Sequence, residues 1–169
     1  MGQHQGNGNL EEIRKALADP TTREKLEKIA KGFLTRGWHN LEEVLEPGLP
    51  VRAFTFGLYP SFGHPEIVII GYPHNITSHL LATACERVQA GESFQLEREY
   101  EGFLDGYKVA FKHVHPSHYD RFLPFLKGLY RTNNFPVIQV VIPDEGGRYP
   151  WDSGVQAQFR QVQRVLDKP

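Results

Sequence analysis

The chain has 169 residues, 40% hydrophobic and 23% charged, with a formal net charge of −1. A chain of this length folds as one domain burying about two-thirds of its unfolded surface, enough for a core without metal or disulfide support. Its near-neutral charge excludes the basic footprint that nucleic acid requires. A single cysteine, Cys85, excludes an internal disulfide and makes a reducing cytoplasm the expected compartment.

Residues 1–9 are mostly Gly, Gln and Asn; they read as a flexible leader without the apolar stretch of a signal peptide. Residues 10–169 are expected to form a single α+β domain. Asn9 can cap a short helix through Ala18, with Leu10, Ile13 and Leu17 on one side, ended by Asp19-Pro20. Thr21 and Glu24 form an S/T-x-x-E capping box for the next helix. Leu26, Ile29, Ala30 and Phe33 then give it one apolar stripe, and Gly37 stops it. Its lysines and arginines alternate with Glu24 and Glu27, which marks a solvated face rather than a basic patch.

Residues 38–45 suit either a helical turn or an edge strand. Residues 51–59 read as a strand and residues 60–65 as a loop. The run Ile67-Val68-Ile69-Ile70 is apolar on both faces, as a central strand covered from both sides would be. This is the longest apolar run, far short of the roughly 20 residues that span a bilayer. Residues 73–90 predict a helix with Ile76, Leu80, Leu81, Ala84 and Val88 inward. Residues 94–100 alternate and can pair with residues 107–115 through Asp105-Gly106. Pro116 opens a helix with Tyr119, Phe122, Leu123, Leu126 and Tyr130 inward, and residues 137–142 form another apolar strand. Ser153 and Gln156 make a second capping box, before a final helix carrying Val155, Phe159, Val162 and Leu166 on one side. Helices come first, then strands and helices mixed, with a hairpin and no regular βαβ repeat. The expected fold is α+β, a mostly antiparallel or mixed sheet with amphipathic helices packed on it.

Several phrases stand in a recognisable order: Gly37-Trp38, Ala53-Phe54-Thr55-Phe56-Gly57-Leu58, Gly63-His64-Pro65-Glu66, Val137-Ile138-Gln139-Val140-Val141, Pro143-Asp144 and Tyr149-Pro150-Trp151-Asp152. In this order and spacing they resemble the bacterial family of domain of unknown function 4262. The resemblance implies no activity. Members of that family usually continue after the Pro-Trp pair with a Gly-rich segment and a Gln-Pro pair, whereas residues 153–166 here read as a Gln-rich helix.

Three groups of residues could carry chemistry. His113 and His115, two apart on a strand, face one side, and His118 could join them around a zinc ion with one open position. The same spacing resembles the H-x-H-x-D-H run of metallo-β-lactamase-like hydrolases, with Ser117 in place of the aspartate. The plainer reading is three separate histidines bonded near the sheet rim. His64, between Gly63 and Pro65, could serve as a general acid or base; more plainly, it caps a turn and Glu66 is exposed. The loop from Pro143 to Asp152 offers Asp144, Trp151 and Asp152 to a pocket, although a tryptophan more often closes a core. Gln139 is the odd polar residue in a β run and needs partners for both amide ends. Cys85 packs as a small hydrophobe, and no G-x-S-x-G, Walker or G-x-G-x-x-G motif is present.

Together these readings point to a module that holds a small ligand or a protein partner in a cleft shared by the His64 and Trp151 loops. Its expected lining is Tyr59, His64, Gln139, Asp144, Trp151 and Asp152. No cofactor is expected, zinc on His113, His115 and His118 being the alternative. The alternative function is a small hydrolase-like enzyme using that metal or His64. Neither nucleic acid nor membrane is an expected partner, and the final helix could pair with a second copy of the chain.

Overall fold

The computed structural model describes residue 15 and residues 18–44, 47 and 50–169. The expected leader, and all of the expected first helix but Lys15 and Ala18, lie outside the described residues. The chain divides into two compact units, Met1–His39 and Asn40–Pro169.

The first unit carries helix α1 (Pro20–Arg36). It begins before the expected Thr21 box. Asp19 is the N-cap, its Oδ2 accepting from the Thr22 amide at 2.7 Å, and Pro20 takes the first helical position. An aspartate followed by proline starts a helix better than it ends one, because proline lacks the N–H that would go unbonded there. Gly37 ends the helix in a left-handed conformation (φ 79°), returning its N–H to the Phe33 carbonyl. The expected inward stripe is not buried: Leu26 is 44% exposed, and none of the helix residues is buried. Apolar periodicity predicts the helix but does not specify what covers it.

The second unit is built on the sheet. Its six strands are β1 (His39–Glu43), β2 (Arg52–Phe56), β3 (Glu66–Ile70), β4 (Glu99–Leu104), β5 (Tyr107–His113) and β6 (Val137–Val141), in the order β1-β2-β3-β6-β5-β4. Pairing is antiparallel in β2–β3, β4–β5 and β5–β6 and parallel in β3–β6, so the mixed sheet of the expected α+β fold is present. β3 and β6 sit at the centre and every residue of both is buried, as two-sided apolar runs require. Residues 39–43 resolve to the edge-strand alternative.

One face of the sheet carries helix α3 (His74–Gln89), which packs on β2, β3 and β4 and buries Leu80, Leu81, Ala84, Cys85 and Val88. Near its end, Arg87 forks onto Glu92 at 2.6 and 2.7 Å and lies over the rings of Phe94, Tyr100 and Phe103. Arg87 and His79 also bond the Glu101 and Phe103 carbonyls of edge strand β4. Those bonds occupy acceptors that would otherwise invite another strand.

The other face carries α5 (Pro124–Tyr130), whose Phe125 ring lies 5.7 Å from both Phe54 and Phe56. The expected single helix from Pro116 is three pieces: a 3-10 turn (Pro116–His118), α4 (Tyr119–Phe122) and α5. The break falls at Leu123-Pro124, since proline cannot donate the next helical hydrogen bond.

Three further expectations are corrected. Residues 58–62 form helix α2 (Leu58–Phe62) rather than strand and loop. Residues 94–98 are not strand, because their amides are claimed elsewhere: Phe94 by His64 and Gln95 by the Tyr100 hydroxyl. The last helix, α6 (Ala157–Val162), is short and has no side-chain cap. After it the chain is irregular, gripped by two amides. Gln163 exchanges two hydrogen bonds with the Ile142 backbone, and Gln139 donates to Arg164 O and accepts from Leu166 N. No helix among the described residues is long and apolar enough to cross a membrane.

Candidate functional site

His64 is 4% exposed, and both ring nitrogens are used. Nε2 accepts the Phe94 amide at 3.3 Å, which makes Nδ1 the protonated nitrogen, donating to Pro65 O at 2.7 Å. The ring packs edge-on against Phe94, and burial pushes its pKa below the ordinary 6.5. The imidazole ties two loops together and has no nitrogen left for a reacting group. The folded state therefore binds this proton less readily than the unfolded chain. Its contribution to stability is complete above about pH 6.5 and is lost as pH falls through the folded pKa. His64→Leu is expected to cost about 2 kcal/mol at pH 7.5, through the unmet Phe94 amide and Pro65 carbonyl. Urea titrations at pH 7.5 and 5 should show that gap narrowing on acidification; a constant gap would refute the assignment.

Glu66 is not exposed but wholly buried. Its carboxylate accepts from Thr55 Oγ1 at 2.6 Å, from the Gly57 and Tyr59 amides at 2.9 and 3.0 Å, and from the Tyr130 hydroxyl. Burial raises its pKa while these donors oppose the rise. The Tyr59 ring, 40% exposed, packs edge-on against Tyr130.

The three imidazoles proposed for zinc do not converge. His115 caps the 3-10 turn through Ser117. His118 bonds the Lys168 carbonyl at 2.6 Å, and His113 is exposed at the end of β5. Among the described residues no group of three or more His, Cys, Asp or Glu is arranged to hold a metal ion.

The shared cleft of His64 and Trp151 is not formed either. His64 precedes the start of β3, whereas the Trp151 loop leaves the far end of β6, and these strands run parallel, with Glu66 beside Val137. The faces differ as well. His64 lies with Phe94, which stacks on Phe111 at 4.4 Å. Tyr149 and Trp151 lie over Ala110 and Lys112, and alternate residues of one strand point to opposite faces. Gln139 serves the C-terminal segment, as described above. Asp144 closes its own turn, accepting from the Gly146 and Arg148 amides at 2.9 Å and pairing with the Arg148 guanidinium at 3.0 Å. The Arg148 amide, with the guanidinium second, lowers its pKa.

Trp151 and Asp152 do meet in a cleft. It measures about 370 Å³ and is lined by Glu97, Glu99, Ala110, Lys112, Gly147, Tyr149, Trp151 and Asp152. Tyr149 anchors it, sitting on Ala110 and Val141 and donating its hydroxyl to the Lys108 carbonyl at 3.0 Å. Asp152 fixes the turn by accepting the Tyr149 amide at 2.8 Å. Trp151 stacks face to face on Tyr149, centroids 4.8 Å apart and planes 7° from parallel, and stays 43% exposed. The Lys112 ammonium lies 4.4 Å from the Trp151 ring centre and 3.8 Å from Glu97. Burial first, then the charges of Glu99 and Asp152, push the Tyr149 phenol up to about 12. The cleft is therefore an aromatic wall in a negative field.

Glu97, Glu99 and Lys112 escaped the sequence reading. Glu99 and Lys112 become neighbours of the loop only through the pairings Glu99↔Ala110 and Lys112↔Gln139. The alternation of β5, with Lys108, Ala110 and Lys112 on one side, was the available signal.

No curated protein and no solved structure matches the chain. The family model described as Domain of unknown function (DUF4262) matches residues 34–156, well over half of the chain. The resemblance of the ordered phrases thus stands on the whole central region, and the chain belongs to the DUF4262 family.

Proposed function

We propose that this chain is a cytoplasmic, non-catalytic module that binds a small ligand in the cleft against the Trp151 loop. The observation that carries the reading is the half-exposed Trp151, held rigid by its stack on Tyr149 at the border of a cleft of about 370 Å³. An exposed indole offers water a large apolar surface, and its immobilisation lowers the ordering cost of a ligand that covers it. The volume lies at the small end of ligand pockets. None of the lining residues is a serine, cysteine or histidine, so the Ser–His and Cys–His pairings of nucleophile and base have no members there. Cytoplasmic residence is supported by Cys85, the only cysteine, being a buried thiol outside any internal disulfide.

The test is a fragment panel followed in amide and indole NMR spectra. Binders should shift Trp151, Asp152, Glu99 and Lys112 together. Trp151→Ala should weaken them at least about tenfold while costing only about 1 kcal/mol of stability, the scale of one exposed aromatic contact. Shifts scattered over the surface, or binding indifferent to Trp151, would remove the proposal.

A further inference from the structure

We infer that the Trp151 cleft selects a small organic cation, an alkylammonium or guanidinium group carried on an apolar body. The inference rests on the binding reading above and names its ligand class. Three carboxylates (Glu97, Glu99 and Asp152) face one ammonium, Lys112, around the cleft. Lys112 is committed to Glu97 and to the Trp151 ring. Among the described residues no cation pairs with the side chain of Glu99 or Asp152. The Arg160 guanidinium bonds the Asp152 backbone carbonyl at 2.9 Å. Glu99, hydrogen-bonded to the Tyr149 phenol, and Asp152, bonded to the Tyr149 amide, thus stand without a paired cation beside an aromatic wall, the combination that attracts a cation through both Coulomb and ring-quadrupole forces.

The chain supplies its own precedent. The ammonium of Lys112 rests 4.4 Å from the Trp151 ring centre with its side chain only 18% exposed, so the wall already accommodates an alkylammonium. A ligand cation would take the equivalent attraction from Glu99 and Asp152 and compete with Lys112 for the indole. Removing Lys112 should therefore strengthen cation binding. An anionic ligand would behave in the opposite way, since Lys112 would be its only counter-charge.

Three probes of matched shape separate these cases: phenethylammonium, phenethyl alcohol and phenylacetate, titrated into the full chain and followed at the Trp151 indole resonance. The expected order is phenethylammonium at least about tenfold tighter than the alcohol, with phenylacetate weakest and the cation's advantage shrinking in added salt. Glu99→Gln should cut that advantage about threefold or more, and Lys112→Met should tighten phenethylammonium about two- to fivefold. Glu101→Gln, on the same strand but paired with Lys108 at 3.2 Å, should change neither. Tightest binding of phenylacetate with loss in Lys112→Met, or equal binding of all three probes, overturns the charge selection and leaves the binding module standing. No response of the indole to any probe overturns both.

Discussion

Glu66→Ala is expected to destabilise the protein by about 3–5 kcal/mol, lowering Tm by roughly 8–15 °C. The carboxylate serves four donors drawn from three parts of the chain: Thr55, the Gly57 and Tyr59 amides, and Tyr130. Thr55 is itself a ladder replacement, since its hydroxyl accepts the Ile67 amide at 2.8 Å where a strand carbonyl would otherwise serve. Removing the acceptor strands the buried Thr55 hydroxyl and the Tyr59 amide and leaves the Gly57 amide with the Tyr130 hydroxyl at 2.9 Å, and each unmet donor costs about 1–3 kcal/mol. It also removes the group that starts helix α2, so loosening should spread through residues 57–63. Tyr130→Phe deletes one donor and leaves the carboxylate bonded to the others; about 1 kcal/mol is expected. The pH dependence has a definite sign. The folded pKa of Glu66 is raised above 4.5, so its protonation favours the folded state. That contribution is full below pH 4.5 and lost as pH rises through the folded value. The gap between wild type and Glu66→Ala should narrow from pH 4 to pH 8 in urea titrations. A Glu66→Ala protein within 1 kcal/mol of wild type would show that the carboxylate is not the organising acceptor.

The contrast between Glu66 and the strand it begins shows what the sequence could and could not say. Residues 67–70 were legible as a central strand because apolar groups on both faces have no other stable position. Helix α3 was legible for the same reason at the helical period. Their common feature is that burial, a property of local pattern, decides the outcome. Glu66 follows no such pattern. Its partners lie between 7 and 64 positions away in the chain, and a glutamate at the head of a strand reads as exposed until those donors are assembled. The same holds for residues 94–98 and 163–168, where distant side chains take the backbone groups that a strand or helix would have used.

The candidate site divides along the same line. Trp151 and Asp152 were legible, since an aromatic and an acid on one loop after a buried strand stay together however the loop is placed. Their union with His64 was not, because it depended on the relative direction of β3 and β6. Those strands are parallel, and a parallel pair sends the entrance of one and the exit of the other to opposite ends of the sheet. Gln139 was correctly singled out as needing partners at both amide ends, and backbone groups of Arg164 and Leu166 supply them.

Gly71→Ala is expected to cost at least about 3 kcal/mol, the sum of a left-handed penalty of about 1–2 kcal/mol and a steric collision that no rotamer relieves. Gly71 follows β3 with φ at 90°, its amide bonded to the Val51 carbonyl at 2.8 Å. A Cβ there would stand 2.1 Å from the Val162 carbonyl oxygen and 2.7 Å from its carbon. Both are backbone atoms at the end of α6, so relief requires moving the chain rather than turning a side chain. Gly106 separates the two contributions: its φ is 79°, yet nothing lies within 4 Å of an added Cβ, so Gly106→Ala should lose only the conformational part. The displaced element leads directly into the Gln163 and Gln139 clamps. The defect should therefore appear as faster hydrogen exchange at residues 163–166, while β3 and β6 exchange only through the general loss of stability. Equal losses for the two alanine variants, with the 163–166 amides protected as in wild type, would mean that α6 has room to retreat and that close approach at Gly71 does not hold the C-terminal segment in place.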